Sequence, residues 1–475
     1  MAPKISSHLH ANAGTRIGNY QVEKLLGTGR FSSVYSVVPT GTNASANAST
    51  SACATYALKV YRIGSTNMRY YENEVKILND LRYRHGNNEK FGGSTDGIAC
   101  SHDGSCHDAT IGINGTHEIE KSMRDLELNI DTKNVKIGAM STYGTMSTHN
   151  PHNLIDYFGT FAHIRVCEDN SPRVHPCILF NLAAGSVEDL LEHYLDVEKS
   201  ALPPLIVRTI IRDTLRGLQS IHSQGYIHTD IKPGNLLLNM PVHAITEETA
   251  QSSLVIRLGD FGSSVHRDEE KSYHIGTPNY IPPEILLKRT DYDTSIDIWA
   301  TFVTCYELLT GDHLFDIFDE CDIEYSYNAD RMSTDSNDSN DSNDSNDSND
   351  SNSNTSDSND SSCGNTSDSC SSDGDDSVIE ESDIMHIVLL KKLIGEPPES
   401  FRELMDILEV NDYEIGCKYN IPVSMEPLSI GDLMVINYNM EPEMYKVIPA
   451  LLYKGLKYEN RCTAAQALED PWLNW

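Results

Sequence analysis

Apolar and polar residues alternate along YQVEKLLGTGRFSSVYSVV (20–38), the period of two expected of paired strands, and a glycine-containing turn interrupts the run. TYALKVYRI repeats the strand signal after a small polar loop, GTNASANASTSACA. Then the period changes. MRYYENEVKILNDLR sets Val75, Leu78 and either Leu81 or Ile77 on one helical face, so a small sheet carrying one helix is expected. Gly86 to Asn150 is rich in Gly, Ser, Thr, Asn and His, and its length marks an irregular insertion rather than a connection. Strands return in HNLIDYFGTF and PCILFNLA. From Val187 the pattern is helical: VEDLLEHYL, LIVRTIIRDTLRGLQSIHS and SIDIWATFVTCYELLTG carry the 3.6-residue period, the last stopping at Gly311. The Ser-Asn-Asp repeat from Ser336 to Asp350 and its degenerate continuation to Asp376 hold almost nothing to bury, which predicts a disordered, solvated tract. Helical patterns resume in DIMHIVLLKKLIG and close with AAQALEDPWLNW.

Charge narrows the choice of partners. The chain has 475 residues, 39% of them hydrophobic, and a formal charge of -34, part of it concentrated in Asp335 to Asp376, which has no Lys or Arg. Nucleic acid and anionic membrane surfaces are thereby disfavoured as direct partners, whereas a basic polypeptide would be attracted. The 11 scattered cysteines and the absence of an apolar leader in MAPKISSHLHANAGTRIG point to a reducing, intracellular, soluble protein. No stretch approaches the roughly 18 consecutive apolar residues of a spanning helix.

Candidate chemistry lies in YIHTDIKPGNLLL (Tyr226 to Leu238), where Asp230, Lys232 and Asn235 fall within one turn-like segment between an apolar helix and an apolar strand. Such residues build ordinary turns, but they also suit work on a phosphate. Phosphoryl transfer needs positioning and charge stabilisation, so further parts can be sought. LGTGRFSSV offers Gly27 and Gly29 for close backbone approach to phosphates and Val34 to cover a base, with Ser32 where a third glycine is usual. Lys59 lies on the following strand. Glu72 and Glu74 on the next helix point about 200° apart, so only one faces inward; Glu74, beside Val75 and one turn before Leu78, is the one expected to hold Lys59. LVIRLGDFGSS ends an apolar strand with Asp260, a second metal-binding carboxylate.

In this order and on these elements the motifs resemble those of eukaryotic-type protein kinases, from about Ile17 to the C-terminus. The resemblance implies an α+β, protein-kinase-like bilobal fold: a small antiparallel sheet lobe with one helix, and a larger, mainly helical lobe. It divides the chain into a flexible tail (1–16) and a kinase domain (17–475), with an N-lobe at 17–183 carrying the 86–150 insertion and a C-lobe at 184–475 carrying the disordered insertion at about 320–382. It also implies ATP and Mg2+ as cofactors. Leu26, Gly27, Thr28, Gly29, Arg30, Phe31, Ser32, Ser33 and Val34 would cover the nucleotide, with Ala57 and Leu237 about the base and Asn181 to Ala183, in front of Phe180, offering backbone groups to adenine. Lys59, held by Glu74, would meet the α and β phosphates. Asp230 would accept the proton of the substrate hydroxyl, Lys232 would touch the transferred phosphate, and Asn235 with Asp260 would hold magnesium. Thr277 in GTPNYIPPE would contact the catalytic Asp, Glu284 would pair with Arg461, and Asp297 would anchor the catalytic loop.

HTDIKP, with Thr229 where arginine is usual, is similar to the SR-protein kinases, as are ELLTGDHLFD, DPWLNW and the extra residues between Asn235 and Asp260. That subgroup implies basic, arginine-serine-rich protein substrates; the expected setting is intracellular, in the cytoplasm and also the nucleus, with oligomeric state left open. Phe261, where the subgroup carries Leu, and Pro278 and Ile281, where its wider group carries arginines, leave another substrate preference as the alternative, and a pseudokinase scaffold as a further one. Cys100, His102, Cys106 and His107 have ligand types suited to zinc, though their spacing fits no common zinc frame and a loop rich in His is the plainer reading.

Overall fold

The computed structural model describes residues 9, 11–40, 55–85, 108–112, 152–166, 172–315, 381–404, 406–407, 429–431, 433–434 and 442–474. The N-terminal strands are β1 (Arg16–Ile17), β2 (Tyr20–Thr28), β3 (Ser32–Pro39), β4 (Tyr56–Tyr61), β5 (Asp108–Gly112), β6 (Tyr157–Val166) and β7 (Pro172–Asn181). They form a single antiparallel sheet in the order β1-β2-β3-β4-β7-β6-β5. Alternation along β4 sends Leu58 and Val60 to an outer cluster with Val22, Val37 and Leu179. Lys59 is left on the opposite face, in register with Val34 and Ile178. Helix α1 (Ser65–His85) buries Tyr71, Val75, Ile77, Leu78 and Leu81.

Two expectations change here. The segment 86–150 is not irregular throughout, because β5 lies within it and pairs with β6; its short run DATIG carries too little periodicity to announce a strand. Residues 1–16 are not a tail along their whole length either. Leu9 and Ala11 are buried on the outer cluster, and the Tyr35 hydroxyl donates to the Leu9 carbonyl at 2.6 Å. Cys100, His102, Cys106 and His107, and the Ser-Asn-Asp tract, lie outside the described residues.

After β7 come β8 (Gly185–Ser186), α2 (Val187–His193), α3 (Pro204–His222), β9 (Tyr226–Ile227), β10 (Leu236–Leu238), α4 (Glu247–Ser252), β11 (Ile256–Leu258), β12 (Val265–His266), α5 (Pro283–Leu286), α6 (Ser295–Thr310), α7 (Glu381–Ile394), α8 (Pro442–Gly455) and α9 (Ala464–Leu468). Helix α7 begins inside the span of about 320–382 expected to be disordered. Ser186 caps α2 in a capping box with Asp189, satisfying end donors that helical bonds leave free. Helix α6 stops where Gly311 takes φ 83°, a left-handed conformation that costs glycine little. Its buried side chains, from Ile298 to Leu309, pack with those of α3 and α8 into a core that continues through Phe261 to Tyr71 and Leu78 of α1. Both parts of the chain thus meet at one apolar seam, and the polar motifs open along its edge. No helix among the described residues is long and apolar enough to cross a membrane.

Candidate functional site

Three charged side chains from distant segments meet beneath the sheet. Lys59 Nζ lies 2.8 Å from Glu74 Oε2 and 2.8 Å from Asp260 Oδ1. Glu74 is fully buried and Lys59 nearly so, whereas the Asp260 side chain is 50% exposed and faces the cleft. Burial alone would lower the Lys59 ammonium, yet the Asp260 and Glu74 carboxylates outweigh it and hold the group well above its ordinary value. For Asp260 burial pushes upward, and the Lys59 cation overcomes it, leaving the carboxyl below its usual range. Asp260 takes φ 59°, unusual for a residue other than glycine, in the turn after β11.

The segment between β9 and β10 is built from below. Asp297, in the first turn of α6 and 1% exposed, accepts the backbone N–H groups of His228 and Thr229, both at 2.8 Å, and meets His222 Nε2 at 2.7 Å. These bonds hold Thr229 at φ 72°, a strained angle for a β-branched residue. Asp230 then projects upward. Its Oδ1 accepts from the Thr277 hydroxyl at 2.7 Å, and its Oδ2 accepts from Asn235 Nδ2 at 3.0 Å with Lys232 Nζ at 3.2 Å. Lys232 also donates to Thr277 Oγ1 at 2.7 Å. Asn235 spends its amide nitrogen on Asp230, so its amide oxygen is the donor left for a metal.

The glycine-containing loop closes over these groups. Gly29 N–H bonds Ser32 O at 2.9 Å, and Arg62 Nη2 donates to Gly29 O at 2.5 Å, pinning the turn to the end of β4. Phe31 stacks on Tyr70 of α1 with ring centroids 3.7 Å apart, and Arg30 lies over the Phe31 ring at 5.4 Å. The cleft is lined by Gly29, Arg30, Phe31, Ser32, Lys59, Tyr61, Tyr70, Asp230, Asp260, Gly262 and Ser263. Leu26 and Gly27 stand apart at its exposed rim, Thr28 pairs with Ser33 across the hairpin, and Val34 pairs with Lys59. Ala57 faces Phe180 in register, Asn181 ends β7 with its N–H on Asp156 O at 2.9 Å, and Ala183 follows. Leu237, on β10, packs against Gly259.

Other contacts were not apparent from the motifs. Asn73 Nδ2 donates to the carbonyls of Gly262 at 3.0 Å and Ser264 at 2.6 Å, and Lys76 pairs with Glu269, so α1 is tied to the segment after Asp260. Asn73 and Lys76 sit three apart on α1, next to the inward Glu74, a spacing that marks a helix face but not its target. Glu284 and Arg461, by contrast, form the pair that the motifs implied, bidentate at 2.5 and 2.7 Å, with the Arg461 side chain 1% exposed. An oxygen-rich set (Asp230, Asn235, Asp260) in a half-open cleft suits a hard divalent cation, and the cationic Lys59 and Lys232 beside it suit phosphate. Among the described residues no His, Cys, Asp and Glu group forms a separate metal cluster.

The family model described as the protein kinase domain matches residues 126–473, well over half of the chain. The serine/threonine-protein kinase TAO3 of Xenopus laevis is 35% identical over 133 residues, 28% of this chain and 13% of the relative. The serine/threonine-protein kinase TAO2 of Rattus norvegicus is 33% identical over 133 residues, covering 28% and 9% respectively. Mitogen-activated protein kinase 14 of Xenopus laevis is 38% identical over 116 residues, 24% of this chain and 29% of the relative. The chain therefore spans less than a third of the length of each of these curated relatives.

Proposed function

The chain belongs to the protein kinase family, and from the arrangement of its cleft we propose that it transfers the γ-phosphate of ATP to serine and threonine hydroxyls of protein substrates. The observation that carries this reading is Lys59 held between Glu74 and Asp260 at 2.8 Å each, beside an Asp230 already bonded by Thr277, Asn235 and Lys232. The kinase domain then runs from about Ile17 to the C-terminus, with 86–150 and about 320–382 inserted, and Leu9 and Ala11 pack on its outer face. Leu26 to Val34 close over the nucleotide, Ala57, Leu237 and the backbone of Asn181 to Ala183 frame its base, and Lys59 binds its α and β phosphates. Asp230 orients the acceptor hydroxyl and takes its proton, while Lys232 balances charge on the transferred group. Asn235 and Asp260 are the residues that would hold Mg2+, which when bound offsets charge on the phosphate oxygens.

The substrates are basic, of the arginine-serine kind. Support comes from carboxylates gathered beside Lys232. Glu188 on α2 is raised above its ordinary value by partial desolvation and by Glu192, Asp189 and Glu307, with Lys232 opposing. A Cβ on Gly234 would come 2.8 Å from Glu188 Oε2, so glycine there leaves the carboxylate room beside the catalytic segment. A positional peptide library phosphorylated by the purified full chain tests both levels. Transfer favouring arginine near the acceptor is expected; transfer with another preference would overturn the substrate reading, and no transfer at all would overturn the kinase reading.

A further inference from the structure

Tyr61 stands two residues beyond Lys59 on β4, so the two side chains share one face of the sheet. Its ring lies 5.2 Å from the Lys59 ammonium and meets Tyr71 of α1 edge-on, with centroids 5.5 Å apart. The phenol donates to Glu74 Oε2, the oxygen that also receives Lys59, while Glu74 Oε1 accepts the Phe261 N–H at 3.3 Å. Glu74 is thus gripped by donors from β4 and from the turn after β11, all inside the apolar seam.

These donors are not equivalent. Lys59 is shared with Asp260 and, in the proposed reaction, must also turn to the phosphates. The Phe261 bond is long. The Tyr61 hydroxyl, 1% exposed as a residue, makes its one hydrogen bond among the described residues to Glu74. Burial and the neighbouring Glu74 carboxylate keep the phenol far above its ordinary value, so it remains a neutral donor throughout the working pH range.

We infer that Tyr61 is a positioning residue whose hydroxyl holds Glu74, and with it α1, in place while Lys59 is free to engage the nucleotide. The inference rests on the kinase reading of the same cleft. Tyr61→Phe keeps the ring and its contacts with Tyr71 and Lys59, and removes one bond to a buried charge. Because such a bond is strong, kcat/KM for ATP should fall about tenfold. Part of the loss should appear as a raised KM for ATP, which a smaller folded fraction cannot produce, with KM for the peptide unchanged.

The experiment compares wild type, Tyr61→Phe, Glu74→Gln and the double variant by steady-state kinetics, thermal unfolding and amide hydrogen exchange across Tyr71 to Leu81. Expected are faster exchange in that part of α1 in Tyr61→Phe at a nearly unchanged melting temperature, and no further kinetic loss when Tyr61→Phe is added to Glu74→Gln. Unchanged exchange together with a wild-type KM for ATP would overturn the inference, as would losses that simply multiply in the double variant. Wild type that transfers no phosphate would defeat the kinase reading instead, and the exchange measurement would still decide the role of Tyr61.

Discussion

Thr229 donates its hydroxyl to the carbonyl of Ser263 at 3.0 Å, joining the segment that carries Asp230 directly to the start of the segment that follows Asp260. In many kinases that junction is an arginine awaiting a phosphate, which orders the loop through charge-assisted bonds. Here it is neutral and already made. Asn73, Lys76 and Tyr292 add bonds to Gly262, Ser264, Glu269 and Ser272, so the segment is held by side chains that need no modification. The protein purified from bacteria, stripped of phosphate and checked by mass, should phosphorylate peptide without a lag. Activity that appears only after incubation with ATP or an upstream kinase would contradict this.

The catalytic assignment predicts that Asp230→Asn and Asp260→Asn each lower magnesium-dependent transfer by about two orders of magnitude or more, since each removes a charge aimed at the reacting group. Folding should remain cooperative in both. Asp230→Asn leaves the amide able to meet Thr277, and Asp260 is half exposed, so neither change strands a deeply buried charge. Transfer rates equal to wild type in either purified variant would remove the assignment.

Much of this was legible because a change of period from two to 3.6 marks where strands give way to helices, and the motifs fall at those junctions. Lys59 and Glu74 could be paired from sequence, since alternation along one strand and the apolar face of one helix leave each a single inward direction. Tyr61 obeys the same alternation as Lys59, yet nothing local tells whether an inward tyrosine packs or donates. Leu9 and β5 were missed for a different reason. Their order depends on an edge or an outer face supplied by residues distant in the chain, and runs as short as DATIG have no periodicity of their own.

Arg461→Met should destabilise the fold by about 3–5 kcal/mol, because it leaves Glu284 in a mostly buried site without its bidentate partner and also removes the guanidinium 4.9 Å from the Trp299 ring. The pair Glu284→Gln with Arg461→Met should recover part of that loss, since no lone charge remains. Urea unfolding gives both numbers. A change below about 1 kcal/mol in the single variant would show that water reaches the pair.

His386 predicts how stability depends on pH. The ring is fully buried on α7 against Phe315, with centroids 4.8 Å apart, and neither ring nitrogen has a partner among the described residues. Burial drives its pKa down to about 3, far below the unfolded value near 6.5. Below pH 6.5 the unfolded chain takes up this proton while the folded chain does not, so the stability present above that pH drains away until the folded group titrates near 3. His386→Phe removes the proton site and two unsatisfied nitrogens. It should raise stability at pH 7 by about 1 kcal/mol, and its advantage should grow by up to about 1.4 kcal/mol for each further pH unit between 6 and 4. Urea unfolding at pH 7, 6, 5 and 4 measures the difference. Parallel curves for the two proteins would show that His386 is solvated, or bonded, in the folded state.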